Sequence, residues 1–230
     1  MVSCLSECFK SLFKSKIGVA ITLLFFSLCS LQSFAQQFRL GLSATPSMAW
    51  LKSNSEGMDS EGSRFGFAYG VITDYVFTEN YSLGSGVNVA YKGGGLQIDS
   101  ANNVFSMIAI NEEILLQTIE IPLTLKMKTN QIGHFKYYGM FGFGANFTLK
   151  ANADESYPNT NLVGRTDRNI YGNINNFSAS LIIGAGIEFP LTGNTSLTGG
   201  ILFNNGFTDI VDGDPKAIAN SLGINVGILF

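Results

Sequence analysis

In the last eleven residues, Asn220 to Phe230, Leu222, Ile224, Val226, Ile228 and Phe230 fall on every second position. Ser221, Gly223, Asn225 and Gly227 stand between them, and Leu229 is the one break in the pattern. Side chains of a strand alternate between its faces, so this stretch carries one apolar face and one small, wettable face. The same period returns along most of the chain. Phe38, Leu40, Leu42, Ala44, Met48 and Trp50 alternate with Arg39, Gly41, Ser43, Thr45 and Ser47, and Phe65, Phe67, Tyr69, Val71, Tyr75 and Phe77 with Gly66, Ala68, Gly70 and Asp74.

Further strands are expected from Tyr81 to Tyr91, from Ile119 to Lys128 through Pro122, from Phe135 to Leu149, from Phe177 to Phe189 and from Leu197 to Phe203. Apolar phase is lost between Asn111 and Thr118, which predicts a bulge or an irregular turn. After Lys92 the chain either ends its strand at Gly93-Gly94-Gly95 or runs on to Ile98, turns, and returns from Val104. With the terminal stretch this makes eight strands, an all-β chain folded as an antiparallel transmembrane barrel. Charged residues make up only 13% of the chain, too few to coat the outside of a soluble barrel with an apolar interior.

Short connections at Thr78 to Asn80, Thr129 to His134 and Pro190 to Asn194 alternate with long loops at Ser53 to Ser63, Ala151 to Asn176 and Asn205 to Ala219. Barrels of the outer membrane have short periplasmic turns and long external loops, which puts both mature termini in the periplasm. A strand of about ten residues at about 3.4 Å each, tilted about 40°, covers roughly 26 Å, the height of the apolar band. Aromatic residues fall where interfaces should be: Phe38, Phe77, Tyr81, Phe135, Phe189 and Phe230 at the inner end, Trp50, Phe65, Tyr91, Phe147, Phe177 and Phe203 at the outer.

Lys10, Lys14 and Lys16 precede the apolar run Ile17 to Leu31, and Ser33-Phe34-Ala35 supplies the small residues of a cleavage site, so residues 1–35 are expected to be a signal peptide. Cys4, Cys8 and Cys29 would leave with it, and the mature barrel domain, 36–230, would hold no disulfide. Removing Lys10, Lys14, Lys16 and Glu7 from 14 basic and 17 acidic residues leaves 11 and 16, a net charge of −5, unsuited to nucleic acid.

Leu116-Gln-Thr-Ile-Glu120-Ile-Pro122-Leu-Thr-Leu-Lys126 resembles the L-E-I-P-L-x-L-K segment of the PorT-like outer-membrane β-barrel family, and Phe38-Arg-Leu-Gly-Leu resembles its first strand. The aromatic-ended terminal strand resembles the signal by which such barrels are recognised for assembly, which points to Leu222, Ile224, Val226, Ile228 and Phe230. The resemblance implies a small barrel of a Gram-negative outer membrane. Its implied partners are outer-membrane lipids, lipopolysaccharide and the barrel-assembly machinery, with a secretion complex as a further partner, and it implies a monomer.

No residue pattern points to catalysis. His134, the only histidine, sits in an expected turn without a partner serine or carboxylate, and the glycines of Gly139 to Gly144 lie inside a strand, where no nucleotide loop forms. Asp209, Asp212 and Asp214 lack the spacing of a calcium loop, so no cofactor or metal is expected. With Glu56, Asp59 and Glu61 they form an expected acidic rim that would attract divalent cations. Arg39, Asp74, Lys126, Lys136 and Glu188 carry the inward parity near one end, with Glu120 higher on the same face. In a narrow lumen these charges are expected to pair, because a lone buried charge costs more than a pair. The sequence therefore predicts a closed barrel with a structural or surface-interaction role. Its alternatives are an accessory subunit of a secretion complex and a small passive channel.

Overall fold

The computed structural model describes residues 37–53, 58–99, 109–156, 164–191, 193–211 and 216–230. By its own contacts the chain divides into Met1–Phe38 and Arg39–Phe230. The expected signal peptide, Glu56, Asp212 and Asp214 lie outside the described residues, and so does the side chain of Asp59.

Among the described residues nine strands follow in order: β1 Phe38–Ser53, β2 Met58–Thr78, β3 Tyr81–Asp99, β4 Ala109–Lys128, β5 Lys136–Ser156, β6 Arg165–Asn169, β7 Phe177–Pro190, β8 Ser196–Gly206 and β9 Ala217–Leu229. Eight of them close a ring through neighbouring antiparallel pairs. β1 meets β9 from Gly41↔Leu229 to Ser53↔Ala217, and β4 meets β5 from Asn111↔Ser156 to Lys128↔Tyr138. Closure removes the unpaired edges that an open sheet would leave. β6 stands outside the ring, paired only with the projecting end of β5.

The residues expected to face lipid do face outward. Leu42, Phe65, Val71, Val87, Leu123, Phe143, Ile201 and Ile224 are exposed, while Asp74, Thr118, Glu120, Lys126, Asn146, Ser180 and Glu188 are buried inside. Aromatic rings pack in pairs at both margins, Phe135 with Phe189 and Phe77 with Tyr81 at the short-turn end, Phe147 with Phe177 and Trp50 with Phe203 at the other.

Four strands are far longer than the ten residues expected. β2 and β5 have 21 residues each, β4 has 20 and β3 has 19. The expected loop Ser53 to Ser63 is mostly strand, leaving four residues between β1 and β2. β3 runs on to Asp99, so the glycines after Lys92 do not end it. The expected loop Ala151 to Asn176 contains the end of β5, all of β6 and a 3-10 turn at Tyr171–Asn173.

The lost phase before Thr118 has a different cause from the one expected. β4 keeps its parity throughout, with Ile114, Leu116, Thr118 and Glu120 all buried on the inward side. What inverts is polarity: just on the loop side of Thr118 the inward Ile114 and Leu116 are apolar and Glu113 and Gln117 face out, with Glu112 the one charged residue on the inward parity. The bulge lies on β5, where the pairing jumps from Gln117↔Lys150 to Thr118↔Thr148 and leaves Leu149 extra.

Pro122 and Pro46 break the ladder without ending their strands. Pro122 pairs with Gly144 on the β5 side, whereas on the β3 side the register passes from Glu120↔Asn88 to Leu123↔Ser85. Proline has no N–H to give, so one neighbour goes unpaired. Pro46 does the same between Ala44↔Val226 and Ser47↔Gly223, where Asn225 Nδ2 donates to Thr45 Oγ1 at 2.8 Å.

Candidate functional site in the barrel interior

Side chains fill the inside of the ring in layers. At the short-turn end, five charges from four strands form a connected layer. Arg39 on β1 reaches Glu188 on β7 at 2.7 Å, and Glu188 holds Lys128 of β4 at 2.9 Å. Lys128 stands 3.7 Å from Asp74 on β2, which accepts from Lys126 at 3.1 Å. Ser196 on β8 accepts from Arg39 and donates to Glu188 at 3.0 Å. Leu229, the residue that broke the terminal alternation, is buried inward.

Tyr138 on β5 crosses this layer. Lys126 Nζ lies 4.5 Å from the centre of its ring, and a Cβ at Gly186 or Gly200 would stand 2.6 or 2.7 Å from its hydroxyl. Those glycines on β7 and β8 are what let the ring span the lumen. Gly84 plays the same part for the ion pair, since a Cβ there would lie 3.3 Å from Asp74 Oδ1 and 2.7 Å from Thr124 Oγ1.

Above these charges is a cavity of about 110 Å³, bordered by Asn88, Thr124, Thr198 and Asn225 as well as by Asp74 and Lys126. A second polar layer bounds it. Lys92 donates to Asn146 at 2.9 Å and lies 3.8 Å from Glu120, Asn204 donates to Glu120 at 2.9 Å, and Asn146 donates to Ser180 at 3.2 Å.

The long-loop end is apolar inside. Leu51, Leu96, Ile114, Leu116, Ala151, Ala153 and Ala217 converge from five strands, and Ile170, Ile174 and Ile210 pack onto them from the connections before β7 and after β8. Asn175 fastens the two connections together, its Nδ2 donating to the carbonyls of Asp209 at 3.0 Å and Val211 at 3.2 Å. Above the plug Arg168 ties β6 to Glu112 at 2.7 Å and Glu155 at 2.8 Å.

Of the six residues expected to form a lumen network, Arg39, Asp74, Lys126 and Glu188 meet in one layer. Lys136 does not join them. It lies opposite Glu188 in the ladder, but that carboxylate is taken by Arg39 and Lys128, and Lys136 makes no ion pair among the described residues. Glu120 connects with Lys92 and Asn204 in the layer above, and not through Lys126 as expected. Lys128, Lys92 and Tyr138 were the missing members. All three follow from even parity: Lys128 stands two residues after Lys126, Lys92 two after Ala90, Tyr138 two before Met140.

Leu222, Ile224, Val226 and Ile228 are exposed on the outer face of β9, and Phe230, exposed just after it, exchanges backbone hydrogen bonds with Leu40 of 2.7 and 3.0 Å. Of the expected acidic rim, Glu61 is exposed on β2 and Asp209 lies 4.0 Å from Lys216. Among the described residues no three His, Cys, Asp or Glu side chains converge as a metal would need. His134 is exposed in the turn between β4 and β5.

Among solved structures, the fold is similar to neisserial surface protein A, at 16% identity over 84% of this chain and 97% of that one, with a TM-score of 0.45. The attachment invasion locus protein Ail of Yersinia pestis matches at 15% identity over 84% and 99%, with a TM-score of 0.36. A major outer membrane protein from Thermus thermophilus matches at 14% over 84% and 99%, with a TM-score of 0.46. Among curated proteins none matches the sequence. The family model described as outer membrane protein beta-barrel domain matches residues 32–212, and the chain belongs to that family.

Proposed function

We propose that this outer-membrane barrel is a closed, non-enzymatic scaffold that presents its long-loop end at the cell surface, and that it does not conduct. The observation that carries this reading is the apolar plug of Leu51, Leu96, Ile114 and Leu116, sealed by Ile170, Ile174 and Ile210. A pore needs a continuous wet path, and eight strands enclose little more than the width of their own side chains. At the other end the linked charges from Arg39 to Lys126 fill the same narrow space. Purified protein in planar bilayers should show no steady conductance, and reproducible ion-selective channels from homogeneous protein would defeat the reading.

Both mature termini then lie in the periplasm, beside the turns at Glu79 and His134. Glu61→Cys should be labelled on intact cells by an impermeant thiol reagent and Glu79→Cys only after lysis; the opposite pattern reverses the orientation. The narrower reading, a PorT-like accessory subunit of a secretion complex, draws on the segment Leu116 to Lys126, which lies on β4 with Glu120 and Lys126 in the lumen. Affinity purification from native membranes separates the two readings: a stoichiometric partner supports the accessory role, and its absence the autonomous one.

A further inference from the structure

Two irregularities of the barrel wall fall close together. Between Ser63↔Gly94 and Phe67↔Tyr91, β2 carries Arg64, Phe65 and Gly66 against only Lys92 and Gly93 of β3. Across β3 and β4 from it is the extra Leu149 of β5. Both kinks lie where the outward residues change from apolar to polar, just beyond the rings of Tyr91 and Phe147. Between them the outer face of β3 is carried by Gly93 and Gly95, on the parity of Tyr91, so that strip of the wall has no side chains. Arg64 crosses it to pair with Glu113 on β4.

Below that crossing, Gln117 Nε2 donates to the Tyr91 hydroxyl at 3.3 Å, and Lys150 stands opposite Gln117 in the ladder. Lys150 is exposed and makes no ion pair among the described residues. The outcome is a recess of about 210 Å³, with Phe65 and Leu115 as its apolar part and Arg64 and Lys150 as its outward-facing cations, while Lys92, which also borders it, turns its ammonium inward to Asn146 and Glu120.

We propose that this recess binds the phosphorylated headgroup of a lipid of the outer leaflet, with the lipid's acyl chains lying along the apolar belt below. The inference rests on the outward orientation of the long-loop end proposed above. Two cations at headgroup level call for an anion, and a guanidinium sharing one side with Glu113 keeps other N–H donors for phosphate oxygens. Phe65, 68% exposed, joins the recess to the lipid-facing surface, so the ligand that fits has both a phosphate and a hydrocarbon part.

The test is native mass spectrometry of protein extracted from its own membrane in mild detergent, with folding verified by heat-modifiable migration. The full chain should retain a phosphorylated glycolipid, and Lys150→Glu should lower the retained fraction at least tenfold, with Arg64→Gln lowering it too. Lys52→Glu, an exposed lysine on β1 outside the recess, should leave retention unchanged. Should Lys150→Glu fail to fold, Lys150→Met takes its place. The phosphorylated sugar without acyl chains should bind at least tenfold more weakly than the whole lipid. Equal retention by the full chain and the Lys150 variant, equal loss in Lys52→Glu, or equal binding of the soluble headgroup would each overturn the proposal. The thiol labelling of Glu61→Cys and Glu79→Cys reads the orientation separately, so a reversed barrel is told apart from an empty recess.

Discussion

Glu188 is the residue on which the inner layer of charges depends, because it holds Arg39 and Lys128 together and its own side chain is only 4% exposed. Replacing it by Ala leaves two buried cations short of a partner, and breaking a buried pair from one side costs on the order of 3–5 kcal/mol. Equilibrium urea unfolding in detergent should therefore show a large fall in stability for Glu188→Ala. Lys136→Gln, on a neighbouring strand with the same parity, should lie within about 0.5 kcal/mol of the parent, as expected of a side chain outside such a network. Similar values for the two would mean that the charges fill space without depending on one another. Tyr138 gives a second probe, since Gly186→Leu would drive a side chain into the place of its hydroxyl. Overpacking of this kind costs about 1–3 kcal/mol, read in the same unfolding experiment.

The strand is the scale at which lipid and core impose opposite demands. Val226→Arg puts a cation on the lipid face of β9, which costs about 2–4 kcal/mol near mid-membrane. That variant, and deletion of Phe230, should be exported but poorly inserted, seen as loss of heat-modifiable, protease-resistant barrel; normal assembly of both would remove the role assigned to the terminal strand. Ile114→Asn acts at the other end of a strand, placing an amide among Leu51, Leu96 and Leu116. It should release the connections carrying Ile170 and Ile210, so that protease added to the purified protein cuts them while the ring stays intact, and unchanged resistance would mean that the plug does not hold them. The two halves of β4 also show what could be read from sequence. From Ile119 to Lys128 the apolar and polar faces alternate as a lipid-facing strand requires, and order, partners and inward parity all follow. Before Thr118, Ile114 and Leu116 face inward while Glu113 and Gln117 face out, so the same rule gives the wrong face for these residues, and continuous strand looks like a bulge. Lys136 was misassigned for a related reason: parity fixes the side of the wall but not which carboxylate is already occupied, and that depends on Lys128 coming from another strand.

Over the whole molecule the strands are of unequal length, 19 to 21 residues from β2 to β5 against 11 to 16 for β1 and β7 to β9. On β5 the residues from Lys150 to Ser156 stand beyond the last lipid-facing side chain, Leu149. At about 3.4 Å per residue and a tilt near 40°, those seven add roughly 18 Å of wall above the membrane. β8 stops at Gly206, close above Phe203, and adds almost nothing. The rim is therefore canted. Among the described residues, a large molecule approaching along the surface would meet a steep bank from the side of β3 and β4 and a low sill from the side of β8 and β9, and Arg165 and Arg168 of β6 stand beside the projecting end of β5.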